Sequence, residues 1–311
     1  MTVGLTSVQA AAARIKGHVR RTPVMAAEGS FSAGEVFLKL EQVQHTGTFK
    51  ARGAFNRVLS ARERNELSDA GVIMASGGNA GMALAYAGRQ LGVRAEIFVP
   101  TSSSPVKVQR LRALGAEVVV TGDYYADAYD ACLERAASSG AVLVHAYDQP
   151  EVVSGQGTLG LELLDQVEGL DTVVVAVGGG GLAAGIAVAV SPQVSVVAVE
   201  PENIPTYHAA VAAGTPVDVE VSGVAADSLG GRRVGDIAWE CLREAHANSL
   251  LVSDDAIIDA RRWLWDEFRI VVEHGGAAAV AALLSGAYKP HTDERVAVVL
   301  CGANTDLSDL A

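Results

Sequence analysis

A chain of 311 residues is long enough for one large domain or two medium-sized ones, and a hydrophobic fraction of 50% excludes an intrinsically disordered protein. The net charge of −12 argues against non-specific binding to nucleic acid or to an anionic membrane surface. Three scattered cysteines fit a reducing compartment, and neither a charged-then-apolar leader nor an apolar run of about 18 residues is present, so we expect a soluble cytoplasmic protein.

The amino-terminal part of the chain predicts two helices separated by a strand. Residues 7–17 carry apolar side chains at helical spacing, and residues 22–24 are an extended entry to the body of the protein. Residues 37–40 predict a short strand. The next helix follows a turn near Lys50 and continues to about residue 59.

From residue 72 onward, short apolar strands alternate with helices, which is typical of parallel βαβ units. The predicted strands are 72–75, 95–99, 117–120, 142–146, 172–177, 194–199 and 296–300; the predicted helices are 81–91, 105–114, 124–137, 159–167, 182–190, 234–246, 254–268 and 277–284. We therefore predict an α/β fold with two open, twisted, mostly parallel sheets flanked by helices. The smaller sheet is expected to form a small mobile domain over residues 71–149, inserted into a large domain built from residues 1–70 and 150–311.

The segment TGTFKARGA, residues 46–54, places a lysine directly after an aromatic residue. Phe49 precedes Lys50, and small residues follow it. A desolvated lysine has a lowered pKa and can condense with an aldehyde as the free amine. On composition alone the alternative is an ordinary surface lysine, because lysine is rarely buried.

Four glycines, Gly178 to Gly181, join an apolar strand to a helix. Glycine lets the backbone approach an anion closely, and the N–H groups of a helix start add favourable potential. Residues 179–184 also satisfy the dinucleotide pattern G-x-G-x-x-A, and Glu200 ends the next strand, where a ribose-binding acid would stand. Taken alone, this segment therefore fits a cofactor phosphate, an NAD site, or a plain tight turn.

A second polar turn, Ser76-Gly77-Gly78-Asn79, joins a strand to a helix in the predicted small domain. N–H groups at a helix start suit a carboxylate, and an asparagine side chain can bond a ring hydroxyl. The alternative is that Ser76 or Asn79 only caps the helix. Two further residues, Glu273 and Cys301, also have a purely structural interpretation. Glu273 could be a solvated carboxylate at a helix end, and Cys301 a thiol buried in the core.

The lysine segment resembles that of the fold-type II (tryptophan synthase β-like) enzymes, which use pyridoxal 5′-phosphate (PLP). It is most similar to the branch of serine/threonine dehydratases and serine racemases, since cysteine and threonine synthases usually carry Lys-Asp-Arg where this chain has Lys50-Ala51-Arg52. The resemblance extends over nearly the whole chain. It implies a homodimeric ammonia-lyase that eliminates the β-hydroxyl of L-threonine or L-serine to give a 2-oxo acid and ammonia.

The resemblance also implies a role for each matching residue. Lys50 would hold PLP as a Schiff base and act as the catalytic base. The other implied cofactor contacts are Phe49 beside the ring, Asn79 at its 3′-hydroxyl, Gly178, Gly179, Gly180, Gly181 and Leu182 around the phosphate, Cys301 facing the ring nitrogen, and Glu273 near the ring. The implied substrate-carboxylate contacts are Ser76, Asn79 and Ala80, with Thr48 assisting.

Departures from the family pattern keep two other enzyme classes in view. Serine racemases carry a serine base at position 77, where this chain has Gly77, and many threonine dehydratases carry histidine in place of Ala80. Racemases also bind a divalent cation through a glutamate matching Glu200 and an aspartate that Thr206 replaces here, so Glu200 is at most part of a weak cation site. A racemase or β-replacement enzyme is one alternative. An NAD-dependent dehydrogenase is the other, and it would leave Lys50 unexplained.

Overall fold

A computed structural model of the chain describes residues 3–31 and 33–308. Within these ranges the strands are β1 (Val24–Ala26), β2 (Glu35–Lys39), β3 (Val72–Ala75), β4 (Ala95–Val99), β5 (Glu117–Val120), β6 (Val142–Leu143), β7 (Thr172–Ala176), β8 (Ser195–Pro201), β9 (Asn248–Val252) and β10 (Arg295–Val299). The helices are α1 (Leu5–Ile15), α2 (Lys50–Glu63), α3 (Asn79–Leu91), α4 (Pro105–Ala113), α5 (Tyr125–Ser139), α6 (Pro150–Gln166), α7 (Gly181–Val190), α8 (Thr206–Ala213), α9 (Ala226–Leu229), α10 (Asp236–Glu244), α11 (Asp254–Phe268) and α12 (His274–Leu284).

The strands form two sheets. One has six strands in the order β1-β2-β10-β7-β8-β9, and the other has four in the order β5-β4-β3-β6. All pairings are parallel except the one between β1 and β2. The prediction of two mostly parallel sheets flanked by helices is therefore confirmed.

The central strands of the larger sheet are apolar because helices cover them. Every residue of β7 is buried, as is all of β10 after its first residue. The alanine-rich helix α12 packs against β7 and β8, and nine of its eleven residues are buried. A parallel strand covered on both faces has no polar side, which explains the continuous apolar runs in the sequence.

Helix α6 begins earlier than the sequence pattern predicted, at Pro150 rather than near residue 159. Proline is favourable at the first position of a helix, but Gly155, Gly157 and Gly160 weaken the helical signal that follows. These glycines allow close packing: a Cβ atom on Gly155 would lie 2.7 Å from the Cα atom of Gly53 in α2. Tertiary packing, rather than intrinsic propensity, therefore explains this helix.

Other differences concern short elements. Strand β6 ends at Leu143, before the predicted end at 146, because the chain turns at His145. Helices α8 and α9 and strand β9 were not predicted from the sequence. Among the helices that the structure describes, none is long and apolar enough to cross a membrane.

Candidate active site

A cavity of about 610 Å³ is lined by the loops that follow strands of both sheets. The loop after β3 contributes Ser76 to Ala80, the loop after β7 contributes Gly178 to Gly181, and Cys301 follows β10. In parallel α/β sheets the carboxyl ends of the strands are where ligands bind. The cavity thus brings together segments that are far apart in the sequence.

Lys50 is the first residue of α2, and its half-buried side chain lines the cavity. Its amine donates a hydrogen bond to the carbonyl oxygen of Ala146 at 3.1 Å and lies 5.0 Å from the centre of the Phe49 ring. Desolvation lowers the pKa of this amine to about 8, although the nearby carboxylate of Glu273 acts in the opposite direction. Near neutral pH a much larger fraction of this amine is therefore unprotonated than of an ordinary lysine.

The chain has five lysines, and only Lys50 lines this cavity. Lys16 and Lys289 are exposed. Lys39 is fully buried in an ion pair with Glu162, and Lys107 pairs with Asp227. Lys50 is therefore the lysine available to an electrophile bound in the cavity.

The glycine loop leads into the N-terminus of α7, where none of the side chains that the structure describes caps the helix. The first N–H groups of a helix have no partner within the helix, so they are available to an anion. The loop needs glycine because its neighbours are close. A Cβ atom on Gly179 would lie 2.4 Å from the Tyr147 ring, and one on Gly180, where φ is +85°, would lie 2.6 Å from Ala238.

Helix α3 presents a second uncapped N-terminus to the cavity, at Asn79 and Ala80. The amide group of Asn79 is held on both sides. Its Nδ2 donates to Glu273 at 2.8 Å, and its Oδ1 accepts from Asn304 Nδ2 at 2.8 Å. Ser76 also lines the cavity, where its hydroxyl accepts a hydrogen bond from the N–H of Gly78 at 3.4 Å.

Two further side chains line the same cavity with perturbed pKa values. Burial raises the pKa of Glu273 to about 7, which the hydrogen bond from Asn79 only partly offsets. Burial also raises the pKa of the Cys301 thiol well above its ordinary value, so that this group stays a neutral thiol. Its Sγ atom lies 3.7 Å from the carbonyl oxygen of Gly275. Ionisable groups with shifted pKa values in one cleft indicate a functional site.

Two of the predicted site residues do not line the cavity. Thr48 is fully buried, and its hydroxyl has no hydrogen-bond partner among the described residues. Glu200 is fully buried as well, and its carboxylate accepts from the Thr206 hydroxyl and from the N–H groups of Tyr207 and His208, at 2.7–2.8 Å. It therefore caps helix α8. Within the described ranges no three carboxylate, histidine or cysteine side chains are grouped to hold a metal.

The structure adds residues that sequence reasoning missed. Asn304 joins the site by donating to Asn79 and to the carbonyl oxygen of Thr46, both at 2.8 Å. The turn at Ala146 and Tyr147 contacts both Lys50 and the glycine loop. The available signal was position: Asn304 follows β10, and the turn follows β6. The spacing of residues in the sequence does not predict these contacts, because they depend on the order of the strands in the two sheets.

Comparison with known proteins identifies the family. The model of the pyridoxal-phosphate dependent enzyme family matches residues 15–302. The chain belongs to this family. A curated relative, the L-threonine ammonia-lyase of Thermotoga maritima, is 34% identical over 98% of this chain and 77% of its own length.

Solved structures of this family show the same fold. Maize serine racemase superposes with a TM-score of 0.93 and 31% identity, covering 100% of this chain and 96% of its own. A threonine deaminase from T.th. superposes with a TM-score of 0.89 and 36% identity, covering 98% of this chain and 99% of its own. The chain is therefore a fold-type II enzyme, and its cofactor is PLP, as the sequence predicted.

The residues present fit this cofactor. The glycine loop, Gly178 to Gly181, forms a cradle that leads into a helix N-terminus, which suits a phosphate dianion. A Cβ atom at any of these four positions would collide with neighbouring residues. In the same cavity, Lys50 offers an amine with a lowered pKa for the aldehyde. The site therefore supplies a receptor for each end of the cofactor, and PLP itself provides the electron sink that makes a Cα–H bond of an amino acid acidic.

Proposed function

We propose that the chain is a PLP-dependent ammonia-lyase that removes water from L-threonine or L-serine and releases a 2-oxo acid and ammonia. The observation that carries this proposal is the convergence of three features on one cavity: the Lys50 amine, the glycine cradle and the free N-terminus of α3. The names of the relatives support the same reaction class, since they include threonine ammonia-lyase and threonine deaminase.

In this proposal Lys50 has two tasks. It would hold the cofactor through Nζ, and its amine, once released by the substrate, would act as the base that removes the proton from the substrate Cα. Its low pKa, a consequence of burial, favours the unprotonated amine that both tasks need. The carbonyl oxygen of Ala146, 3.1 Å from Nζ, orients the amine.

The loop from Ser76 to Ala80 would hold the substrate carboxylate at the N-terminus of α3, and Asn79 would contact the ring hydroxyl. The pairing of Asn79 with Glu273 and Asn304 fixes the direction in which its amide points. At the far end of the ring, the neutral thiol of Cys301 is too weak an acid to protonate the ring nitrogen. With its ring nitrogen unprotonated, the cofactor would be a weaker electron sink, which would favour loss of the β-hydroxyl. We propose that Phe49 packs beside the ring, that Leu182 lies at the phosphate and that Glu273 lies near the ring, since all three line the cavity. Thr48 does not line the cavity, so it has no direct substrate contact in this proposal.

The alternative enzyme classes find less support. A dehydrogenase would need Glu200 at a ribose, but this carboxylate is buried and occupied by the start of α8. A racemase would need a second base, and the cavity presents Gly77 where the serine racemases have serine. Because the fold is similar to that of maize serine racemase, an activity assay must also measure racemisation of serine.

We further propose that residues 71–149 move as a small domain and close over the substrate. The four strands of the smaller sheet all lie between Val72 and Leu143, which supports these boundaries. The ion pair between Lys107 in α4 and Asp227 in α9 joins this part of the chain to the loop that forms the opposite wall. Closure would exclude water from the reacting Cα atom.

We also propose that the protein is a cytoplasmic homodimer, as expected for its family. Three buried, unpaired cysteines are compatible with a reducing compartment. If the protein is a homodimer, sedimentation equilibrium of the cofactor-loaded protein will give twice the mass of the chain. Fractionation of the native cells would then report the location.

The deciding experiment is the release of 2-oxo acid from L-threonine and L-serine by the purified, PLP-loaded protein. We expect release from at least one, with the ratio of kcat/KM naming the preferred substrate. Chiral analysis of the remaining serine measures racemisation in the same tube. No 2-oxo acid from either substrate, despite a full PLP spectrum, would overturn the proposed reaction.

Two lysine variants make this test specific. Lys50→Ala should abolish turnover together with the absorbance of lysine-bound PLP, since it removes the amine that lines the cavity. Lys289→Ala, which alters an exposed lysine, should change neither. If Lys50→Ala kept both the absorbance and turnover, Lys50 would not be the anchor.

A further inference from the structure

One turn of the chain contacts both ends of the cofactor site. It lies between β6 and α6 and includes Ala146 and Tyr147. The carbonyl oxygen of Ala146 accepts the hydrogen bond of the Lys50 amine at 3.1 Å. The Tyr147 ring lies against the glycine loop: a Cβ atom on Gly179 would be 2.4 Å from ring atom Cγ and 2.5 Å from Cδ1 and Cδ2. Adjacent residues thus support the amine and the phosphate cradle.

The turn is held in place by hydrogen bonds from several directions. His145 Nδ1 accepts from the N–H groups of Tyr147 and Asp148, at 3.3 and 2.9 Å. The Asp148 carboxylate accepts from the N–H groups of Asp236 and Ile237, at 3.1 and 3.0 Å, which caps α10. The turn is therefore anchored at its own backbone and at a helix of the larger sheet. A segment that is held in this way can fix the position of the residues that contact it.

The Tyr147 side chain is placed for support more than for hydrogen bonding. Its hydroxyl lies 3.4 Å from the carbonyl oxygen of Arg233, which is a long hydrogen bond, whereas its ring makes close contact with the backbone of Gly179. Its main-chain oxygen lies under Gly181, where a Cβ atom would be 2.6 Å away. The ring and the backbone of one residue thus form the floor of the glycine loop.

We propose that Tyr147 is a positioning residue that sets the distance between the phosphate cradle and the Lys50 amine. The aldehyde of PLP and the short arm that carries its phosphate are attached to neighbouring atoms of one rigid ring, so the two receptors must stand within a narrow range of separations. Tyr147 fixes the cradle with its ring, while the adjacent carbonyl of Ala146 fixes the amine. The inference rests on the proposed roles of Lys50 and the glycine loop.

The test uses a steric exchange. Gly179→Ala places a methyl group against the Tyr147 ring and should weaken PLP binding strongly. The φ angle of Gly179 is not in the left-handed region, so alanine brings no backbone strain there. Tyr147→Ala removes the support and should weaken PLP binding by roughly tenfold. In the double variant the new methyl group enters the space that the ring has left, so PLP should bind at least about tenfold more tightly than to Gly179→Ala alone.

A matched control uses the next glycine. Gly180→Ala meets Ala238 and a φ of +85°, neither of which depends on Tyr147. Tyr147→Ala should therefore give no rescue of Gly180→Ala. Tyr147→Phe, which keeps the ring and loses only the long hydrogen bond at Arg233, should bind PLP within about twofold of the unchanged protein.

The measurement is the dissociation constant of PLP, from titration of each apoprotein followed by absorbance, with circular dichroism to verify folding. It is independent of turnover. If the double variant binds no better than Gly179→Ala, or if Tyr147→Ala binds PLP as tightly as the unchanged protein, the proposal is overturned. If the rescue occurs but no 2-oxo acid is formed by the unchanged protein, the positioning role stands and only the proposed reaction fails.

Discussion

Arg52→Met is expected to destabilise the fold by about 3–5 kcal/mol, because it breaks a buried ion pair. The Arg52 guanidinium is 0% exposed and binds two carboxylates. Its Nε and Nη2 donate to Glu41 at 2.9 and 2.7 Å, while Nη1 and Nη2 donate to Glu162 at 2.7 and 2.9 Å. Lys39, also 0% exposed, donates to Glu162 at 2.7 Å. Two cations and two carboxylates are thus in balance.

The magnitude follows from what the substitution leaves behind. Burial alone would lower the pKa of Arg52. The carboxylates of Glu41 and Glu162 raise it by more than burial lowers it, so the pKa of Arg52 lies above its ordinary value. Without this cation, Lys39 would face two carboxylates, and the fully buried Glu41 would lose two of its charged hydrogen bonds. A loss of about 3–5 kcal/mol is a large fraction of the roughly 5–15 kcal/mol that stabilises a typical protein.

Urea unfolding followed by circular dichroism measures this loss, and Arg64→Met is the matched control. Arg64 follows α2 at its other end and has a side chain that is 35% exposed; it pairs with Glu66 at 2.6 Å and with Glu151 at 2.7 Å. Surface pairs of this kind contribute about 0–1 kcal/mol. Arg52→Lys, which keeps the charge but not the fork of donors, should fall between the two. An unfolding midpoint of Arg52→Met equal to that of Arg64→Met would refute the reasoning.

Three further predictions concern the cavity. In the same dehydratase assay, Gly77→Ser should form D-serine as an additional product. A Cβ atom at Gly77 would meet only ordinary contacts, at 3.5 Å or more, so the serine side chain can be accommodated. Gly77→Ala is the control, and absence of D-serine from Gly77→Ser would count against position 77 as the site of a base. Lys107→Ala and Asp227→Ala should each lower kcat/KM by up to about fivefold, as expected for an exposed ion pair, with no further loss in the double variant; additive losses would exclude a shared role. The rate at which the apoprotein captures PLP should rise with pH around a midpoint of about 8, because the free amine of Lys50 appears as the proton leaves; a midpoint near that of ordinary lysine would contradict the lowered pKa.

The elements that the sequence predicted well are those whose pattern is local. Strands β3 and β4 and helix α11 have the predicted bounds because apolar runs, turn residues and caps define them within a few residues. The first half of helix α6, residues 150–158, was missed. Its glycines are tolerated only because α2 and α7 lie close to it, and these neighbours are distant in the sequence.

The site shows the same division. The glycine loop and the turn at Ser76 follow apolar strands directly, so their place at the edge of a sheet could be predicted from the sequence. The contact of Tyr147 with Gly179 could not, nor could the use of Glu200 as a cap for α8. An acid at the end of a strand looks alike in sequence whether it binds a ribose, a cation or a helix N-terminus. Only the position of the next helix distinguishes these cases.

The order of strands in the larger sheet explains why the cofactor receptors meet. Strand β10 lies between β2 and β7, although it comes last in the chain. The lysine turn follows β2, Cys301 follows β10, and the glycine loop follows β7. Three consecutive strands in space therefore deliver the amine, the ring partner and the phosphate cradle to one edge. Glu200, the second-last residue of β8, lies one strand further out. It reaches the glycine loop only through Thr206, whose hydroxyl lies 2.6 Å from the carbonyl oxygen of Gly178, so it supports the loop from the side opposite the cavity.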